Sequence, residues 1–341
     1  MPRLPDLVSG FKLLKEVDLN AVREKAETPV HVLVVGREGS GRTTLISQLL
    51  DGPRRGDPPG IPPVSEHGVD AEIIAKPECL VLLVLDPLKG PHVQEAEAFR
   101  KLSKAGARIV VCYNSSRLDR DAQAIMNGAA AWKDAEVVAV SAVDHDSVVR
   151  GLVPAMLRSC KGIEIALARR IPLLREAVCR KLIDDACFVN STYSLTTGLA
   201  EINVFLDLPL NLADIVVLTK NQALMAYKIS LAMGMVADWK ETVPKLATVV
   251  GSAFLWRQAA RSLVGLIPAW GIVPKVAIAY AGTYAVGETI FHWCDSGEKI
   301  RENMLKPVYK AALQRGRETG RLLLAARRKN QEIVPGAVPP A

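Results

Sequence analysis

Gly36-Arg37-Glu38-Gly39-Ser40-Gly41-Arg42-Thr43-Thr44 is the stretch whose residue types and spacing point most directly to chemistry. Two glycines with four residues between them, Gly36 and Gly41, followed by a cation and a hydroxyl, suit a loop whose backbone N–H groups converge on phosphate oxygens. Glycine belongs where the chain takes positive φ or comes close to a ligand. Thr43 places a hydroxyl where Mg²⁺ would sit. Only the expected lysine departs from the pattern, and Arg42 replaces it. Lysine acts as a compact point charge between the outer phosphates, whereas arginine is longer, planar and forked. Binding is therefore expected to survive better than transition-state stabilisation.

The loop needs a buried strand before it and a helix after it. His31–Val35 is a β-branched run and Thr44–Leu50 an amphipathic one, which supplies both. Further Val/Leu/Ile runs at 80–85, 108–113 and 136–140 alternate with helical patterns at 93–105, 120–131 and 147–160. Strands buried on both faces with helices between them predict a parallel sheet in an α/β domain spanning 29–160. A helical leader over 1–28 carries the stripe Leu14, Val17, Leu19, Val22. Between Asp51 and Cys79 proline and glycine dominate; no strand is drawn there, and a surface loop is expected. Within it Asp57-Pro-Pro-Gly60 reads as a turn.

From 161 to 330 the pattern is helical throughout, beginning with one amphipathic helix over 163–189 whose Arg169, Arg170, Arg175 and Arg180 fall on its polar side. Helices are also expected at 199–219, 222–235 and from about 238 through 263. The most apolar stretch, 263–291, has Lys275 near its middle and Pro268, Gly271 and Pro274 as breakers. A spanning helix needs about 20 apolar residues, so membrane association and a buried soluble core both remain open. Ala277, Ala281 and Ala285 recur at helical spacing and suit close helix contact in either case. A tail over 331–341 is expected to fray.

Charge is concentrated rather than spread. Nine Lys/Arg against two Glu between Arg301 and Lys329 equal the +7 excess of the whole 341-residue chain. That helix suits an anionic lipid surface. With Tyr309 its lone aromatic residue, a stacking platform for nucleic acid is not expected. Six scattered cysteines without metal-ligand spacing suit reduced, buried thiols, and His67, His92, His145 and His292 read as ordinary polar residues. Met1–Ala26 has charges throughout and no apolar h-region, so a secretory signal is not expected.

The strand, loop and helix at 31–50 resemble the Era-like bacterial P-loop GTPases. That resemblance implies guanine nucleotide and Mg²⁺ as ligands, with Gly36, Glu38, Gly39, Ser40, Gly41, Arg42, Thr43 and Thr44 around the phosphates. The family's Asn-Lys-x-Asp base reader corresponds to Asn114-Ser115-Ser116-Arg117, in which only the asparagine matches; Asp119 lies two places late as a substitute carboxylate. Its Ser-Ala motif is present as Ser141-Ala142. Asp86, after the second apolar run, is a candidate beside Thr43 for the metal. No catalytic glutamine or switch threonine can be named, so GTP hydrolysis, if it occurs, is expected to be slow. An ATP-binding variant and a pseudo-GTPase that acts through a protein partner are the alternatives.

The C-terminal half resembles the hydrophobic helical domain found behind Era-like GTPase domains and shared with YcjF-type inner-membrane proteins. The residues that carry this are Leu208-Pro209, Asp214, Gln222, Met225, Arg257, Arg261, Leu266-Ile-Pro268, Gly271 and Ala279–Ala285 with Gly287. It implies a cytoplasmic protein held at the inner face of the cell membrane through 263–329.

Overall fold

In the computed structural model, residues 18–53, 62–71, 79–89, 92–129, 131–132, 135–201, 212–250 and 272–332 are described. The expectations at 1–17, Asp57–Gly60, Leu208-Pro209, Arg257, Arg261, 263–271 and 333–341 lie outside them. The chain divides into two units. One comprises Asn20–Cys179 and Leu231–Ala237, and the other lies within Met1–Leu19, Arg180–Ser230 and Asp238–Ala341.

The first unit is α/β. After helix α1 (Leu19–Glu27), strands β1 (His31–Gly36), β2 (Val64–His67), β3 (Cys79–Leu85), β4 (Arg108–Asn114) and β5 (Glu136–Val140) form one sheet. The order is β2-β1-β3-β4-β5, with every pairing parallel. All seven residues of β3 are buried, as a strand covered on both faces requires. The crossovers include α2 (Arg42–Leu49), α3 (Val93–Lys104) and α4 (Leu118–Ala129). Leu83, Leu85, Val111, Tyr113 and Trp132 share one core, and the Trp132 indole N–H donates to the Tyr113 hydroxyl at 2.9 Å.

β2 corrects the expectation that no strand crosses 51–79. It pairs with β1 through Val32↔Val64 to Val35↔His67. Its composition hides it, because an edge strand needs only one apolar contact, here Val64, and leaves Ser65, Glu66 and His67 partly or fully exposed.

Two expected continuous helices are interrupted at prolines. The pattern at 147–160 forms a π turn at Val148–Leu152 and then α5 (Val153–Ser159). Pro154 has no N–H for the carbonyl one turn back, so the ladder re-registers before it. Likewise 163–189 is not one helix. α6 (Glu164–Arg170) stops at Ile171, whose ψ of 104° is the extended conformation a following proline enforces, and α7 (Arg175–Glu201) begins after a 3₁₀ turn at Pro172–Leu174.

That break reverses the reading of the arginines. Arg169, Arg170 and Arg175 are buried at 7%, 4% and 5% exposure rather than solvated. The Arg175 guanidinium donates to the carbonyls of Ala168 and Arg169, both at 3.2 Å, and to that of Pro53. Arg169 reaches the carbonyls of Leu231 and Met235, and Arg170 that of Val30. Of these carbonyls, Ala168 and Arg169 lie in the last turn of α6, where intrahelical donors run out. Arg175→Ala leaves three carbonyls without this donor and is expected to cost about 4 kcal/mol or more, given ~1.5–3 kcal/mol per hydrogen bond to a charged group. An unchanged urea midpoint for this unit would contradict that expectation.

The second unit is helical. α7 is followed by α8 (Leu212–Ala232), α9 (Trp239–Val250), α10 (Ile272–Ser296) and α11 (Glu302–Glu332). α8 runs unbroken through 219–222, where two separate helices were expected. Gly297 (φ +77°) ends α10 with its N–H on the Trp293 carbonyl, and α11 returns antiparallel. The two helices approach closely at Gly316: a Cβ there would stand 2.8 Å from Ala277 Cα and 2.9 Å from the Ala277 carbonyl oxygen. Gly287 serves the same purpose against Ile183 of α7. Asn190 and Gln222 both donate to the Thr283 hydroxyl, at 2.8 and 3.1 Å, which ties α7, α8 and α10 through a buried polar layer. Among the described residues, no helix is long and apolar enough to cross a membrane.

Candidate functional site

The sharp turn between β1 and α2 is made by glycines that other residues could not replace at equal cost. Gly36 ends β1 where a Cβ would meet the Val84 carbonyl oxygen at 2.6 Å. Gly39 (φ +76°) and Gly41 (φ +91°) take the left-handed conformation, and Gly41 caps α2. The first N–H groups of α2, from Arg42 onward, lack intrahelical acceptors and carry the positive end of the helix dipole. Glu38 is exposed beside them, Thr43 is exposed, and Thr44 is half-buried, its carbonyl accepting from the Ser47 hydroxyl at 2.7 Å.

Asn114 holds this loop to the far side of the sheet. Its Nδ2 donates to the Ser40 carbonyl at 2.9 Å, and its Oδ1 accepts from the Ala142 N–H at 2.9 Å. The end of β4 thereby fastens the glycine loop to Ser141-Ala142 after β5. Ser141 itself accepts nothing from the loop; its N–H donates to the Ser147 hydroxyl at 2.9 Å. Ser40 is 4% exposed, and among the described residues its hydroxyl has no hydrogen-bond partner.

The other two expected carboxylates are not drawn in. Asp119 is exposed on the first turn of α4, and no hydrogen bond among the described residues joins it to the loop. It is Asp121, 7% exposed, that turns back and accepts from the Ser115 hydroxyl. Asp86 closes its own turn, accepting from the Leu88 N–H at 3.0 Å and pairing with Lys89 at 3.4 Å.

Glu66, at the end of β2, is the carboxylate that does reach the loop, and sequence reasoning missed it. It lies 3.2 Å from Arg42 Nε and accepts from the Thr43 hydroxyl at 3.1 and 3.3 Å. The same guanidinium donates through Nη1 to the His67 carbonyl. Nearby, Arg37 pairs at 3.0 Å with Glu95, which is 1% exposed and also accepts from the His92 N–H at 2.9 Å, fixing the start of α3. A cavity of about 450 Å³ opens against Gly36, Arg37, Glu38 and Arg42, with Gly68, Asp70 and Lys89 on its other side. Its size falls within the range of small-molecule sites.

No family model and no curated protein matches this chain. Function must therefore be argued from these contacts. Among the described residues no group of three or more His, Cys, Asp or Glu could hold a metal ion. Mg²⁺ does not need such a cage, because it commonly takes one or two protein oxygens and completes its shell with phosphate and water. At the loop the Thr43 hydroxyl is one such oxygen, and it is engaged by Glu66.

Behind the loop, Ser65 Oγ lies 2.8 Å from His31 Nε2 and 2.7 Å from His67 Nε2. Burial holds the His31 pKa below its ordinary value; the Pro62 carbonyl partly offsets this, while Arg170 and His67 add to the depression. The folded protein thus binds fewer protons here than the unfolded chain. This contribution to stability is present above the unfolded value of 6.5 and lost as pH falls through the lower folded pKa. Melting temperature is expected to decline below pH 6.5 less steeply in His31→Gln than in the wild type. Parallel slopes would refute the assignment.

Proposed function

We propose that Asn20–Cys179 is a P-loop nucleotide-binding domain of Era-like GTPase ancestry. In this reading Gly36–Thr44 hold the phosphates, and Thr43, with Asp86 a weaker second candidate, supports Mg²⁺. The observation that carries it is the left-handed glycine loop between β1 and α2, fastened by Asn114 to Ser141-Ala142. The same three segments hold phosphate and base in the proteins it resembles. Guanine nucleotide (GTP or GDP) is the proposed ligand, and hydrolysis of GTP is proposed to be slow. The helical unit, through the cations exposed on α11 such as Lys310 and Arg321, is proposed to meet anionic lipid at the inner face of the membrane. Nucleotide state would then bias that association.

A thermal-shift panel of GTP, GDP and ATP with Mg²⁺, on the wild type and on Thr43→Ala, tests the first part. Stabilisation by guanine nucleotides that is lost in Thr43→Ala supports it, and no shift with any nucleotide overturns it. Sedimentation with anionic vesicles, with and without nucleotide, tests the second, and equal partitioning in both states removes the coupling. One observation favours a pseudo-GTPase acting through a protein partner instead. The cation and hydroxyl aimed at phosphate and Mg²⁺ are both engaged by Glu66.

A further inference from the structure

We propose that Glu66 is an internal competitor for the phosphate site, so that anion binding at the glycine loop requires its carboxylate to leave. This rests on the reading of Gly36–Thr44 as a phosphate loop.

The argument begins with what a phosphate would require. The loop offers three things to an anion: backbone N–H groups, the charge of Arg42 and the hydroxyl of Thr43. Two of the three are already satisfied by one carboxylate, at 3.2 Å from Arg42 Nε and 3.1 Å from Thr43 Oγ1. A phosphate and a carboxylate are alternative partners for the same donors, and two anions cannot share them without repulsion. Glu66 therefore lowers apparent affinity by the population of its paired state.

The competitor is positioned by its strand. β2 pairs with β1 from Val64 to His67, which carries Glu66 to the foot of α2. The unusual residue of the loop is what closes the contact. Arg42 spans two acceptors at once, the Glu66 carboxylate through Nε and the His67 carbonyl through Nη1. A planar fork holds the side chain and the backbone of the same strand from two separate nitrogens in fixed geometry, whereas a lysine ammonium presents its donors from a single atom. Replacement of lysine by arginine is thus explained without any contact to phosphate: it latches β2 over the loop. β2 is an edge strand with Glu66 exposed, so the carboxylate can swing into solvent without breaking the sheet.

Glu66→Gln and Arg42→Lys each dissolve the latch, the second while restoring the consensus residue. Titration with a fluorescent guanine nucleotide in Mg²⁺ is expected to show binding about three- to fivefold tighter in either variant, the scale of one partly exposed charged contact. Tighter binding in both variants establishes the competitor. If the wild type binds and Glu66→Gln binds equally or more weakly, Glu66 is a bystander or a metal ligand, and this inference alone falls. If none of the three proteins binds while their melting temperatures remain native-like, the phosphate-loop reading falls as well.

Discussion

Gly41→Ala is expected to abolish most nucleotide binding while leaving the sheet assembled. A Cβ on Gly41 would stand 2.1 Å from Asn114 Nδ2, and the residue has φ +91°. Left-handed backbone costs an alanine ~1–2 kcal/mol. Displacing Asn114 also breaks its bonds to Ser40 and Ala142, each worth ~1 kcal/mol. The combined loss of about 3 kcal/mol, felt mainly in the bound geometry of the loop, corresponds to roughly a hundredfold in affinity. Gly39→Ala is the control. It has φ +76° but nothing within 4 Å of its Cβ, so only the backbone term applies and the expected loss is about tenfold. Equal losses in the two variants, measured by calorimetric titration, would assign the effect to backbone strain and leave Asn114 without the role given to it.

The second large effect belongs to the helical unit. Gly316→Leu drives a four-carbon side chain into the backbone of Ala277 and the Cβ of Tyr280, both 2.8 Å from where its Cβ would begin. Backbone cannot yield as a flexible side chain can, so α10 and α11 must separate. Overpacking of a tight core typically costs ~1–3 kcal/mol, and a contact made against main chain is expected to reach the upper end. Gly320→Ala, one turn on, meets Val276 at 3.4 Å and is expected to be nearly neutral. Urea denaturation followed by the far-ultraviolet helical signal distinguishes the two, and a stable Gly316→Leu would mean that the helices do not pack as described.

Much of this was readable before any coordinates. Near-continuous Val/Leu/Ile runs placed β1, β3 and β4 because burial on both faces leaves no polar position in a strand, and β5 keeps such a run although, at the sheet edge, only Val140 is fully buried. The glycine loop was readable because backbone conformation, unlike side-chain contact, is written in local residue types. Asn114 and Ser141-Ala142 were recognised from their places after strands, although nothing local revealed that Asn114 would bridge them. Glu66 was hidden for a different reason. An edge strand of four residues with one buried side chain carries no periodicity, and its partner Arg42 lies 24 positions away. The buried arginines were misread because a helical pattern through Pro172 puts Arg169, Arg170 and Arg175 on a solvent face. Once the proline breaks that helix, the same side chains turn inward, Arg175 to the carbonyls of Ala168 and Arg169 and the other two to carbonyls far along the chain.

The acceptors of Arg169 have a consequence for synthesis on the ribosome. Leu231 and Met235 are translated more than sixty residues after the arginine that binds them, yet they belong to the α/β unit. A nascent chain released only as far as Cys179 has every strand of the sheet but lacks the 231–235 carbonyls that accept from Arg169. On this ground the α/β unit is expected to complete its packing only after residues 231–235 have emerged. The two units cannot be parted by a single cut without leaving one of them unfinished.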